Sequence, residues 1–106
     1  MPRVYKRGTA ELDLEEHYLY LAENAGANIA DRFLGNAEAS FADLAGQPGI
    51  GSPMHLRNSE LASLRKWRVN DFEKFLIFYL PRPDGVFILR VLHSAQDWWS
   101  ILGVEE

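Results

Sequence analysis

An arginine and a histidine interrupt the last apolar stretch of the chain, and two tryptophans follow it. The stretch covers residues 88–93 and contains Arg90 and His93. A guanidinium beside an imidazole is a combination that can bind a phosphate and move a proton. On a strand, residues three apart point to opposite faces, so Arg90 and His93 diverge unless the strand ends between them. We therefore predict that this segment packs and recognises a partner and is not an active site.

The sequence raises two questions about packing: which group pairs with the charge of Arg90, and whether the two tryptophans are buried. Arg90 lies in an otherwise apolar strand, where a charge needs a partner, either a carboxylate such as Asp97 or a group on another protein. Adjacent helical residues point in different directions, so one of Trp98 and Trp99 is expected to pack on the sheet while the other stays partly exposed as a binding anchor. Packing of both in the core is the alternative.

Three arginines lie on adjacent predicted strands: Arg65, Arg68 and Arg90. Strand alternation places Arg65 and Trp67 on one face and Arg68 on the other. A solvated sheet face, or ion pairs with helix carboxylates, is one interpretation. The other is a guanidinium cluster that contacts phosphate or a carboxylate-bearing partner, for which the fixed fork of arginine donors is suited.

No motif predicts a cofactor, a metal or an enzyme active site. The three histidines, His17, His55 and His93, are each 38 residues apart, and the chain has no cysteine. Neither fact matches a metal-ligand pattern, and no phosphate loop or nucleophile elbow is present. We expect His17 on the exposed side of the first helix and His55 in a loop.

Two amphipathic helices are predicted in the first half of the chain. Glu11 and Glu15 are among the acidic residues in the first turns of helix one, where the helix dipole favours them. Gly26 ends this helix and begins a helical hairpin. The predicted apolar stripe of helix one contains Leu14, Tyr18, Leu21, Ala22 and Ala25, widened by Leu12 and Leu19, and that of helix two contains Ile29, Phe33, Ala37, Phe41 and Leu44, with Leu34 alongside.

The second half predicts strands. Residues 61–69, 74–80 and 86–92 form a meander, with a turn at 81–85. Residues 3–6 form an N-terminal strand at or near an edge, residues 46–53 a loop, and residues 96–102 a short helix capped by Gly103. The fold class is therefore α+β, with an antiparallel helical hairpin on one face of an antiparallel sheet.

Composition indicates one domain over residues 1–106 that does not cross a membrane. The net charge is −4, and no run approaches the 18 or so apolar residues of a membrane helix. Residues 1–50 hold four basic and eight acidic side chains, whereas residues 57–90 hold seven basic and four acidic ones. This balance argues against a general phosphate-binding protein. The absence of cysteine suits a reducing cytoplasm.

The order of elements and several segments resemble the ParE branch of the RelE/ParE toxin–antitoxin superfamily. The segments are Phe72-Glu73-Lys74-Phe75-Leu76-Ile77-Phe78-Tyr79 and Arg90-Val91-Leu92-His93 at the family's separation, together with Ala10-Glu11-Leu12-Asp13-Leu14 and Gln47-Pro48-Gly49-Ile50-Gly51. The resemblance covers nearly the full length. Two features depart from the family pattern: Arg68 stands where proline is common, and Ser94-Ala95-Gln96 where a basic residue commonly follows.

The resemblance implies the toxin of a type II toxin–antitoxin system, a cytoplasmic inhibitor without a catalytic centre of its own. Its expected target is DNA gyrase, and a ParD-like antitoxin is expected to bind and neutralise it in a hetero-oligomer. Contact with DNA would then be indirect, through the antitoxin or gyrase. The candidates for partner binding or toxicity are Arg65, Arg68, Arg90, His93, Trp98 and Trp99.

Two alternatives remain open from the sequence. Toxins of the RelE branch cut messenger RNA on the ribosome, which requires groups that activate the 2′-hydroxyl and stabilise a charged phosphate. After His93 this chain has no Lys, Arg, His or Tyr, which weakens that interpretation. The other alternative is a toxin of low potency that survives as an antitoxin-binding partner.

Overall fold

The computed structural model describes residues 1–56 and 61–102 and contains three helices and five strands in this range. None of the described helices is long and apolar enough to cross a membrane. In chain order the elements are β1 (Arg3–Lys6), α1 (Gly8–Ala25), α2 (Ala27–Gly46), β2 (Ser52–Pro53), β3 (Arg65–Val69), β4 (Phe72–Arg82), β5 (Gly85–His93) and α3 (Trp98–Leu102).

The five strands form one sheet in the order β1-β5-β4-β3-β2. The three long strands form the predicted antiparallel meander, and β1 lies at the predicted edge. Because β1 pairs parallel to β5, the sheet is mixed, whereas the sequence predicted an antiparallel one. The two-residue strand β2 was not predicted. Several boundaries also differ: β3 begins at Arg65, β4 at Phe72 and α3 at Trp98, and the turn between β4 and β5 shrinks to residues 83–84.

The sheet packs between two apolar clusters, one on each face. On the helix side, Phe33, Ala37, Phe41 and Leu44 of α2 are fully buried against the sheet, as their spacing predicted. On the opposite face, a second cluster joins β4 and β5 to α3 and to the side chains of Leu56 and Leu64. This second layer explains why β4 and β5 are apolar on both faces. The proposed cap Gly103 lies outside the described residues.

Two glycines meet backbone requirements of the fold. Gly26 alone separates α1 from α2 and has a φ of 96°, a region that residues with a side chain rarely adopt. Gly85 opens β5 opposite Arg3, where a Cβ atom would lie 1.8 Å from the Arg3 carbonyl oxygen. The parallel pairing of β1 therefore requires glycine at position 85.

Candidate partner-binding surfaces

Helix α1 presents three polar side chains to the free edge of β5. Pairing of β1 with β5 ends at Ile88. Beyond this residue, β5 is paired with β4 on one edge but has no strand neighbour on the other in the described residues. Thr9 donates to the Leu89 carbonyl at 3.5 Å, and the Val91 N–H donates to the Asp13 carboxylate at 3.0 Å. His17 lies 2.7 Å from the Val91 carbonyl. Spaced four residues apart on α1, these side chains replace the missing strand.

Asp13 also binds Arg90 through both carboxylate oxygens. The Arg90 Nε and Nη2 atoms each donate at 2.7 Å, in a bidentate geometry. Asp13 is only 5% exposed, and its hydrogen bonds raise the pKa of Arg90 above its usual value. The charge in the apolar strand is therefore paired, with Asp13 and not with the suggested Asp97, which instead accepts a hydrogen bond from Ser100.

His17 lies at the interface between α1 and the sheet, so its predicted place on the exposed side of the helix is wrong. Its ring packs edge-on against Phe75 and Phe33, with centroids 4.9 and 6.0 Å apart. A carbonyl oxygen only accepts, so the Nε2 atom near Val91 carries the proton. A polar spacing of four residues, Thr9-Asp13-His17, was the available sequence signal.

Arg90 and His93 start on opposite faces of the sheet, as strand alternation predicted. Pairing with β4 is regular between them: Arg90 lies opposite Phe78 of the second cluster, and His93 lies opposite Phe75 of the helix-side cluster. The Arg90 guanidinium nevertheless reaches Asp13 on α1. His93 packs against Phe75 at 5.0 Å, and its Nδ1 accepts a hydrogen bond from the Ala95 N–H. His93 thus shapes the turn after β5.

Arg65 is bound to the loop that follows α2. Its Nη1 atom donates to the carbonyls of Gly49 and Gly51 at 3.1 and 2.5 Å. The buried Tyr79 fixes the same loop, donating to the Pro48 carbonyl and accepting from the Gly51 N–H. Burial raises the pKa of Tyr79. Arg65 therefore stabilises a loop, and the three arginines contact three separate groups of the chain and form no common cluster.

The third arginine, Arg68, is exposed and stacks on an aromatic ring. Its guanidinium lies 4.6 Å from the centre of the Trp67 ring. Two residues earlier on β3, Lys66 lies 5.2 Å from the ring centre of Trp98. The β3 strand therefore carries two cations beside tryptophans, an arrangement suited to contact with another macromolecule.

Trp98 and Trp99 stack on each other instead of pointing apart. Their ring centres are 4.0 Å apart, and both side chains are partly buried against the second cluster. Trp98 also contacts Phe78 at 5.4 Å. Neither alternative from the sequence holds in full, because both tryptophans pack against the sheet side and both stay partly exposed. Each ring keeps an accessible part.

A groove runs along the outer side of α1, between this helix, α2 and β1. It encloses about 360 Å³, and Leu14, Tyr18, Leu19 and Leu34 form its apolar lining. Leu19 is 54% exposed and Leu34 38%, high values for leucine in a folded domain. Glu11, Glu15 and Lys6 are the charged residues that line it. Beside it, β1 leaves one side of its backbone without a strand neighbour.

No metal site is found in the described residues, since no group of three or more His, Asp or Glu side chains lies close enough to hold an ion. Within 1–56 and 61–102, buried side-chain nitrogen and oxygen atoms all have hydrogen-bond partners. The candidate surfaces are therefore the α1–α2 groove with the β1 edge, and the cationic and aromatic residues of β3 and α3.

Comparison with known proteins gives a family and a fold. The family model described as the ParE toxin of the type II toxin–antitoxin system parDE matches residues 5–98. A solved structure titled as the chromosomal ParDE toxin–antitoxin system from P. aeruginosa is similar at a TM-score of 0.68 and 18% identity. The match covers 88% of this chain and 96% of that one. No curated protein matches significantly.

Proposed function

Since the chain belongs to the ParE toxin family of type II toxin–antitoxin systems, we propose that it inhibits DNA gyrase by binding and that a ParD-like antitoxin neutralises it. The inhibitor holds the topoisomerase on cleaved DNA and supplies no catalytic group of its own. Its contacts with DNA are indirect, made through gyrase or through the antitoxin. Its place of action is the cytoplasm.

The proposal is carried by the observation that three of the six candidate side chains are already hydrogen-bonded within the fold. Arg90 gives two donors to Asp13, Arg65 donates to loop carbonyls, and His93 accepts from a backbone N–H through Nδ1. A ribonuclease site needs such groups free to reach the 2′-hydroxyl and the phosphate. Because these side chains are already hydrogen-bonded within the chain, the structure favours inhibition by binding over cleavage of RNA.

Within this proposal, the target contacts Arg68, Trp98 and Trp99. Arg68 is exposed, and its guanidinium is free of carboxylates within ion-pair distance in the described residues. The stacked tryptophans offer rigid aromatic surface, which dominates interface energies. Arg65, Arg90 and His93 act indirectly, by holding the loop, helix α1 and the final turn in place.

Gyrase assays test the target. Purified toxin added to gyrase and plasmid should accumulate cleaved DNA that remains attached to protein. Arg68→Ala should weaken this effect about tenfold, as loss of an interfacial arginine commonly does. Arg32→Ala, which removes an exposed arginine on α2, is the matched control and should act like the wild type. Unchanged supercoiling and cleavage at micromolar excess of toxin would overturn the proposal.

A translating extract and a growth assay separate the alternatives. Message cleaved in the extract, with loss of cleavage in Arg68→Ala, would replace gyrase inhibition by ribosome-dependent RNA cleavage. Expression of the toxin without its antitoxin should stop growth of the host. Unhindered growth would instead identify a toxin of low potency that serves as an antitoxin-binding partner.

The α1–α2 groove and the β1 edge support the antitoxin part of the proposal. An apolar groove of this size accepts one face of an amphipathic helix, and a strand edge accepts an extended segment through backbone hydrogen bonds. These are the two recurring ways in which a flexible segment docks on a folded domain. We assign the antitoxin to this side of the molecule.

A further inference from the structure

We infer that Glu11 and Glu15 determine which antitoxin the groove accepts, by requiring lysine or arginine in the segment that fills it. The inference rests on the antitoxin proposal and adds the chemistry of the partner. Both carboxylates lie on α1, four residues apart, at the same side of the groove. Both side chains are exposed, whereas Leu14 below them is 5% exposed. The groove therefore has an apolar floor and an acidic rim.

The negative charge of Glu11 and Glu15 is not neutralised by Lys6, because this lysine is paired with Glu38. Lys6 also lines the groove, but its Nζ atom lies 2.8 Å from the Glu38 carboxylate. In the described parts of the chain, ion pairs within 4.0 Å are Lys6–Glu38 and Arg90–Asp13. Glu11 and Glu15 thus lack an intramolecular counter-charge in this part of the structure.

The charge of the rim also identifies the occupant as a different protein. In a two-fold dimer of this chain formed through the groove, the acidic rims would face each other and repel. A chain of net charge −4 increases that cost. A basic amphipathic segment gains from the same surface: its apolar residues cover Leu19 and Leu34 while its cations approach the rim.

Spacing sets a further requirement on the partner. Glu11 and Glu15 are one helical turn apart, about 6 Å between Cβ atoms. A helix that lies along the groove can match them with two basic residues separated by three or four positions. A partner with Asp or Glu at those positions is rejected, because like charges that face each other weaken binding and reduce the rate of association.

Charge reversal on α1 tests the inference. The probe is the full-length antitoxin encoded beside the toxin, with its affinity measured by calorimetry at about 50 mM and about 300 mM NaCl. Glu15→Lys should weaken binding roughly tenfold at the lower salt, and by less than about threefold at the higher. Glu23→Lys is the control: it makes the same change at an exposed residue of α1 that does not line the groove, and should shift the affinity by less than about twofold.

A compensating change makes the test specific. Each Lys and Arg in the C-terminal segment of the antitoxin is changed to Glu in turn, and one such variant should bind Glu15→Lys toxin at least about fivefold better than the wild-type antitoxin does. If Glu15→Lys binds like Glu23→Lys, or if no antitoxin variant restores binding, the inference is wrong. If the wild-type proteins do not bind at all, the antitoxin proposal itself fails.

Discussion

The two sides of helix α1 reverse the usual distribution of polar and apolar residues. The side toward the sheet carries Thr9, Asp13 and His17, and each bonds the backbone of β5. The outer side carries Leu12 and Leu19, which are 59% and 54% exposed. Polar side chains point inward because an unpaired strand edge needs donors and acceptors that apolar residues lack.

This contrast indicates that the helix separates two tasks. The inner side fixes α1 to β5 through directional hydrogen bonds and an ion pair with little exposure. The outer side lacks part of the hydrophobic stabilisation that its leucines would gain in a core, and this exposed apolar surface is where we propose that the antitoxin binds. Changes on the inner side should therefore reduce stability, and changes on the outer side should reduce binding.

The largest effect is expected for Asp13→Ala. The change leaves the Arg90 guanidinium and the Val91 N–H without their shared acceptor, and breaking a buried pair from one side costs about 3–5 kcal/mol. Urea unfolding followed by circular dichroism measures the loss. Glu23→Gln, an exposed carboxylate on the same helix, should change the free energy of unfolding by less than about 0.5 kcal/mol. Equal stability of the two variants would remove the distinction between the sides of α1.

A smaller effect on the free energy of binding is expected on the outer side, for Leu19→Asp. Placing a charge in the apolar groove should reduce antitoxin affinity by about 2 kcal/mol, roughly thirtyfold. The free energy of unfolding should fall by less than about 1 kcal/mol, because the side chain is already exposed. Leu12→Asp changes a leucine of similar exposure that does not line the groove. If both variants bind equally well, the antitoxin docks elsewhere.

His17→Phe sharpens the contrast on the inner side. Phenylalanine keeps the ring contacts with Phe75 and Phe33 but leaves the Val91 carbonyl without its donor, at a cost of about 1–2 kcal/mol. Thermal unfolding together with hydrogen exchange at β5 should detect both the loss of stability and a local opening of α1. The exposed Tyr20, changed to Ala, is the control and should leave exchange at β5 unaltered.

The smallest effect is expected for Glu38→Gln, which removes the partner of Lys6 at the groove. An exposed ion pair contributes about 0.2–1 kcal/mol, and this contribution should vanish at high salt. Unfolding measured at two salt concentrations tests the expectation. A loss as large as that of Asp13→Ala would show that the contact between β1 and α2 at the groove holds the fold together as strongly as the inner side of α1 does.

Regular apolar spacing made most of the fold predictable from the sequence. The stripe of α2 from Phe33 to Leu44 and the two-sided apolar strands β4 and β5 required only burial, and burial follows periodicity. Helix α1 was placed correctly along the chain, but its orientation was partly wrong, because Leu12 and Leu19 were assigned to its apolar stripe. A pattern of leucines does not distinguish a core from a docking groove.

The candidate site was less predictable, because its residues act through contacts made far apart in the chain. Arg90 and Asp13 are separated by 77 positions, and a register shift in β5 places Arg90 on the face opposite to that of Ile88, two residues before it. Spacing along one strand contains no information about such a shift. The prediction that Arg90 needs a partner was nonetheless confirmed, since the cost of an unpaired charge depends only on burial.

Glycine at position 85 affects the order in which the molecule assembles during synthesis. The N-terminal strand can dock only against Gly85 and the residues after it, and α1 is anchored to β5 through residues more than 70 positions later. Translation adds roughly 5–20 residues per second, and N-terminal segments normally fold first. Here the first strand and helix must wait until β5 has left the ribosome. The groove between α1, α2 and β1 is therefore complete only after β5 has been made, and the proposed antitoxin site forms late.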